Sequence, residues 1–194
     1  TRGITEGSRY SGYSNPEKDL IKKAVANYSQ YCKNIYIVEG TGPIGVELIR
    51  KTVENHIKYT GKAPVVIIDY LQILYPVNER LTEKQNTDRS VIELKRISRD
   101  FKTPVIAISS FNRENYKSVV SMQSFKESGA IEYSSDVLIG LQLKGTGQGN
   151  FDVNEAKSRN PREIELVVLK NRNGRTSIKM EFDYYAMYNY FKEK

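Results

Sequence analysis

A single cysteine, Cys32, in a chain of 194 residues leaves nothing for an intramolecular disulfide to pair with. That usage fits a reducing compartment. The one histidine, His56, has no second imidazole to work with. Histidine-based acid–base catalysis and His-rich zinc sites are therefore poor fits. No G-x-S-x-G elbow follows either of the wholly apolar segments, so Ser-His-Asp hydrolysis has no support. No apolar run approaches the length that crosses a bilayer, and no signal peptide is visible. The expected location is cytoplasmic. No internal repeat is present. The chain has no initiating methionine and opens on polar, glycine-containing residues, which reads as a processed or cut chain.

What is present describes an ordinary globular protein. Hydrophobic residues make up 39% and charged residues 27%, and the length suits one substantial core rather than two domains. Thirty Lys and Arg face 23 Asp and Glu, for a formal charge of +7. Such a surplus suits a polyanion partner, and it equally suits solubility. Local concentrations occur at Lys95, Arg96, Arg99 and Lys102, and at Lys170, Arg172 and Arg175.

Along the chain, the lead-in at 1–15 reads as irregular, and residues 16–31 as a helix with Pro16 near its start. Ile35 to Val38 reads as a short strand, followed by a glycine-rich loop from Glu39 to Gly45. Val46, Ile49, Val53 and Ile57 have helical spacing, and Gly61 and Pro64 stop that helix. Residues 65–69, Val-Val-Ile-Ile-Asp, are apolar on both faces up to the acid, as in a parallel sheet covered on both sides. A polar stretch opens at Pro76 and runs to about Thr87. Helical spacing returns from Ser90 to Phe101, and Val105 to Ile108 is a second wholly apolar strand. Strand, helix, strand in this order predicts an open α/β sheet with its carboxyl strand ends on one edge. A short helix is expected at 124–133 and a third sheet strand at 136–143. Residues 144–161 are polar, glycine-rich and the least ordered by expectation. Strands at 163–170 and 176–182 flank a turn at Asn171 to Gly174. The ring-rich tail at 184–191 suits core or subunit packing, with base stacking as the rival.

Asp69 is the sharpest single residue. An acid ending four aliphatics sits at the carboxyl edge of such a sheet, where it can hold Mg²⁺ directly or through water. Its rival role is a cap for the next segment. The phosphate loop that should accompany it, G-x-x-x-x-G-K-[ST], is absent. Gly40 to Glu47 has the glycine spacing, but Val46 replaces the lysine and Glu47 would repel phosphate. Ser109, Ser110, Phe111, Asn112 and Arg113 leave the same edge as Asp69. They can sense phosphate or orient water, or merely form a turn. Lys126, Glu127, Ser128 and Gly129 can grip a nucleic-acid backbone or serve as solvated surface. Lys170 and Arg172 project positive charge near a hairpin tip. That charge can reach a phosphate on a neighbouring subunit, or serve solubility.

Four stretches in order carry a family resemblance: VVIIDYLQIL at 65–74, PVIAISSFNR at 104–113, SFKESGAIEYSSDVLI at 124–139 and LKNRNG at 169–174. NIYI at 34–37 and the helix after it add to it. Together they resemble the C-terminal RecA-like motor domain of bacterial and phage replicative DNA helicases of the DnaB type, over roughly 25–183. The resemblance implies a RecA-like P-loop NTPase core: a mostly parallel sheet flanked by helices, a C-terminal β-hairpin, and here no phosphate-loop segment. It implies one partial domain over 1–194. It gives Asp69 the role of the second Walker acid, coordinating the Mg²⁺ of ATP. Ser110, Asn112 and Arg113 fall in the phosphate-sensing group, and Lys126, Glu127 and Gly129 in the loop that touches single-stranded DNA. Lys170 and Arg172 become the pair that reaches the neighbour's ATP, with Arg172 the arginine finger. The family's proteins form hexameric rings that move 5′ to 3′ on one strand, with primase and a loader as partners. Two departures stand out. Ser110 occupies the place of a phosphate-sensing glutamine, and the phosphate loop and catalytic glutamate are expected upstream of Thr1. The fragment is then expected to be inactive alone. The rival classes are a recombinase-type RecA-like ATPase and a ring or interaction module that never had a phosphate loop.

Overall fold

The structure is a computed structural model that describes residues 12–39, 42–111, 118–125 and 129–194. The first helix, α1 (Asn15–Ser29), begins at a capping box in which the Ser14 N–H donates to the Glu17 carboxylate at 2.9 Å, with Pro16 in its first turn. None of its residues is buried. The expected strand at 35–38 is not one. These residues find no ladder partner among the described residues, and Ile37 is 78% exposed. Helix α2 (Val46–Thr60) buries Val46 and Val53 and stops where expected. Gly61 adopts a left-handed φ of 69° and returns its N–H to the Ile57 carbonyl, a conformation that a side chain would strain.

Strands β1 (Val66–Ile68) and β2 (Val105–Ala107) pair in parallel, with Val66 opposite Val105 and Ile68 opposite Ala107. Between them runs α3 (Glu83–Asp100). It starts well before the expected Ser90 because Thr82 and Gln85 form a capping box: the Gln85 N–H donates to Thr82 Oγ1 at 3.3 Å, and the Thr82 N–H to Gln85 Oε1 at 3.1 Å. Along α3, Val91, Leu94 and Ile97 form the centre of the core together with Val53, Ile68 and Leu71. The short helix α4 (Gly129–Ser134) adds Ile131 to the same core.

The remaining strands are β3 (Val137–Leu143), β4 (Arg162–Asn171), β5 (Lys179–Tyr185) and β6 (Tyr190–Glu193). They form one four-stranded antiparallel sheet in chain order. This overturns the expected mostly parallel sheet: the fold is mixed α/β, with a larger antiparallel sheet and only a two-stranded parallel one. The cause lies in the connections. After β3 the chain turns at once, through Thr146 N–H to the Leu143 carbonyl and Gln148 N–H to the Gly145 carbonyl. Gly145 and Gly147 supply φ values of 88° and 90° for this reversal. The Lys144 N–H then donates to the Glu163 carbonyl at 3.0 Å, so the strand returns beside its own start. Residues 144–161, the expected irregular loop, also contain α5 (Val153–Ser158), capped by Asp152 from 2.7 Å.

Nor are the apolar strands covered on both faces by the described residues. Val66, Ile68, Val105 and Leu138 face the helices, and the alternate residues do not. Ile67 is 67% exposed, Ile106 53% and Leu141 47%.

Candidate functional site

The parallel pairing of β1 and β2 puts Asp69 and Ser109 just beyond neighbouring strand ends. The Asp69 side chain is exposed, and among the described residues none donates a hydrogen bond to its carboxylate. It does not cap the next segment either, since the 3-10 turn Leu71–Ile73 has no side-chain cap. Among the described residues no group of three His, Cys, Asp or Glu could hold a metal. A lone carboxylate at this edge suits the manner in which Mg²⁺ is held, by one or two carboxylates while phosphates and water supply the rest.

Gln72 was not among the expected site residues. Its amide donates to Ser109 Oγ at 2.9 Å and accepts from the Ser110 N–H at 3.3 Å. The turn after Asp69 is thereby tied to the end of β2. A single polar residue in the run Leu71-Gln72-Ile73-Leu74 was the available signal. Ser110 itself is exposed.

Phe111 and Phe125 form an antiparallel bridge, and their rings meet edge to face at 5.1 Å. This pair joins the two chain positions that lead into the expected sensing and DNA-touching residues. Asn112, Arg113, Lys126 and Glu127 themselves lie outside the described residues. Gly129 is the first residue of α4 and is exposed.

The glycine-rich stretch before α2 is no phosphate cradle in its described part. No strand leads into it, and Glu47 places a negative charge in the first turn of α2. Gly45 is there for packing: a Cβ would stand 3.2 Å from the Tyr75 carbonyl.

Lys170 and Arg172 are not free at a hairpin tip, as the spacing alone had suggested. Lys170 Nζ donates to the Glu132 carbonyl at 2.5 Å, and Arg172 Nη2 to the Tyr133 carbonyl at 2.8 Å. Both acceptors lie in the last turn of α4, whose carbonyls have no intrahelical donors. Arg172 Nη1 also stands 3.2 Å from the Asp136 carboxylate, and the Arg172 N–H donates to the Asp136 carbonyl at 3.0 Å. Lys95 of α3 pairs with the same carboxylate. The hydrogen bond from Lys95 holds the Asp136 carboxyl below its ordinary range, with Arg172 and Lys170 adding to the pull and partial burial opposing it. Beyond the pair the turn is tight, since a Cβ on Gly174 would sit 2.6 Å from the Asn171 amide. The structure thus brings Asp69 together with Ser109 and Ser110. It seats Lys170 and Arg172 on another sheet and another set of partners.

The profile of the DnaB-like helicase C-terminal domain matches residues 6–193. The chain belongs to this family. It is 32% identical over 127 residues to the replicative DNA helicase DnaB of Mycoplasma genitalium, covering 62% of this chain and 26% of that protein. It is 30% identical over 165 residues to the DnaB of Leifsonia xyli, covering 82% and 33%. Among solved structures, a DnaB-like replicative helicase described with its primase interactions superposes at a TM-score of 0.79 and 23% identity, covering 96% of this chain and 44% of that one. The ATPase domain of G40P gives 0.75 and 24%, covering 93% and 61%. At these identities the superpositions speak for the fold alone. The chain spans about a quarter to a third of the length of those two DnaB relatives. Among the described residues, no helix is long and apolar enough to cross a membrane.

Proposed function

We propose that this chain is the part of a DnaB-family motor that touches the metal, the single strand and the neighbour's nucleotide, within a cytoplasmic replicative helicase. The observation that carries this reading is the exposed Asp69 carboxylate, without a donor among the described residues, beside Ser109 and Ser110 at the ends of β1 and β2. In the complete motor, ATP with Mg²⁺ supplies the phosphoanhydride bond whose cleavage drives movement. Asp69 offers the anionic oxygen that a hard cation needs. Ser110, Asn112 and Arg113 sense the phosphate from the end of β2, with Gln72 fixing the backbone there. A serine at 110 has a shorter reach than glutamine, so the donors following it carry more of the sensing. Lys126, Glu127 and Gly129 contact single-stranded DNA. Lys170 and Arg172 approach the ATP of an adjacent subunit, where a forked guanidinium suits phosphate oxygens. A hexameric ring moving 5′ to 3′ is the assembly in which such a pair has a phosphate to face. Primase and a helicase loader are the partners proposed for the longer protein.

A second reading, an interaction module without catalysis, is favoured by one observation: Lys170 and Arg172 are engaged by the Glu132 and Tyr133 carbonyls of their own chain. One experiment separates the two. The purified chain alone should turn over no ATP. Fused behind the phosphate-loop segment of a DnaB-family ATPase domain, it should gain DNA-stimulated turnover. Asp69→Ala should lower that turnover about tenfold to a hundredfold. A folded fusion without turnover favours the module. Turnover by the chain alone that disappears with Asp69→Ala would refute the division of labour proposed here.

A further inference from the structure

Lys170 and Arg172 meet the end of α4 with the same N–H donors that a phosphate would need. Lys170 Nζ is on the Glu132 carbonyl, and Arg172 Nη2 is on the Tyr133 carbonyl. Asp136 stands beside this arrangement. It follows α4 by two residues, faces Arg172 Nη1 at 3.2 Å, and is itself anchored to α3 by Lys95. The contact is open to an incoming anion, with the Arg172 side chain 48% and the Asp136 side chain 54% exposed. A carboxylate and two helix-terminal carbonyls together mimic the oxygens of a phosphate. One set of donors cannot satisfy both at once.

We propose that Asp136 is a positioning residue that latches Arg172 and Lys170 onto the carbonyl end of α4, so that a polyphosphate draws the pair away and frees the last turn of that helix. The proposal rests on the reading above, in which the pair reaches for phosphate. Its consequence is mechanical. α4 begins at Gly129, directly after residues 126–128 of the expected DNA-touching stretch. Occupation of the pair by phosphate therefore bears on Gly129, the described residue of that stretch, through one six-residue helix. Because the two states share donors, the coupling is reciprocal: whatever loosens the latch strengthens phosphate capture by the same factor.

The test uses the 194-residue chain and sodium tripolyphosphate as the probe. Amide exchange of residues 129–136 is followed with and without probe, and probe affinity is measured by calorimetry. Tripolyphosphate should accelerate exchange in this segment in the unsubstituted chain. Asp136→Asn should speed exchange without probe and tighten probe binding, each by about twofold to fivefold for a half-exposed pair. Asp136→Glu should restore both. A purely structural role for Asp136 would loosen α4 and weaken the probe together, so opposite signs identify the latch. The gain from Asp136→Asn must vanish in an Arg172→Gln background. If it persists there, it is general charge relief and the latch is wrong. Should Asp136→Asn fail to fold, Arg172→Lys serves in its place. It keeps the charge, loses the fork, and must speed α4 exchange. Probe binding that depends on Arg172 without any change in α4 overturns the latch alone. Probe binding indifferent to Arg172→Gln overturns the phosphate-reaching role itself, and the latch with it.

Discussion

Lys95 of α3 reaches the Asp136 carboxylate across 41 residues and joins the central helix to the start of the antiparallel sheet. The bond holds Asp136 below its ordinary value of 3.8, and Lys194, by hydrogen bond first and charge second, holds Glu163 below 4.5. A carboxylate more acidic in the folded than in the unfolded chain takes its proton in the unfolded chain first. Its contribution is complete above the ordinary value and is lost as pH falls through the depressed folded one. Urea midpoints should therefore hold from pH 7 to about pH 5 and drop below pH 4. Asp136→Asn should lower the midpoint at pH 7 and lower it less as the pH falls below the ordinary carboxylate range. An equal loss at every pH would mean that the charge of Asp136 contributes nothing.

Gln72→Leu removes both side-chain bonds that tie the Asp69 turn to the end of β2 and leaves the backbone bond from the Leu71 N–H to the Ile108 carbonyl at 2.9 Å. The expected loss is about 1 kcal/mol of unfolding free energy, because the side chain is part-buried and water can partly replace it. In the motor fusion the same change should lower turnover more than it raises the nucleotide KM. Ile108 would stay held by its backbone bonds to Leu71 and Ile68, while Ser109 and Ser110 beyond it would lose their side-chain tie. A variant with the stability loss and normal turnover would make Gln72 a structural tie only.

Thr82→Ala deletes one half of the α3 capping box and should cost about 0.5–2 kcal/mol. Denaturant unfolding reads this directly. Since α3 bears the most buried residue of the core, Ile97, the loss should show as a lower midpoint at unchanged slope.

The readable parts of this fold were those fixed by local chemistry. Gly61 ends α2 by its own conformation, and the apolar runs around Ile67 and Ile106 pair in parallel as their composition suggested. The error was to extend that parallel pattern to Val137–Leu143. In fact β3 alternates, burying Leu138 while Val137 and Ile139 stay exposed, and the turns at Gly145 and Gly147 send the chain back antiparallel. The start of α3 was missed because Thr82 and Gln85 sit in a polar stretch that looks like loop unless read as a box. At the candidate site, Asp69, Lys170 and Arg172 were visible as residue types at telling positions. Gln72 and Asp136 were not, since their importance lies in partners 37 and 36 residues away.

Lys126→Ala should weaken binding of labelled oligo(dT) and reduce the slope of log affinity against log salt by about one phosphate's worth. Gln72→Leu touches no phosphate and should leave that slope unchanged. A Lys126→Ala chain with the original slope would return Lys126 to the solvated surface.

The way the two sheets are connected sets an order of assembly. β3 to β6 pair only with chain neighbours, whereas β1 meets β2 only once α3 has closed the loop between them. Short closures form earlier and more cheaply than long ones. The meander that carries Lys170 and Arg172 is thus expected to close first, and the parallel pair that presents Asp69 later. The edge that carries Asp69 would then be completed only after the turn that holds Arg172 is in place.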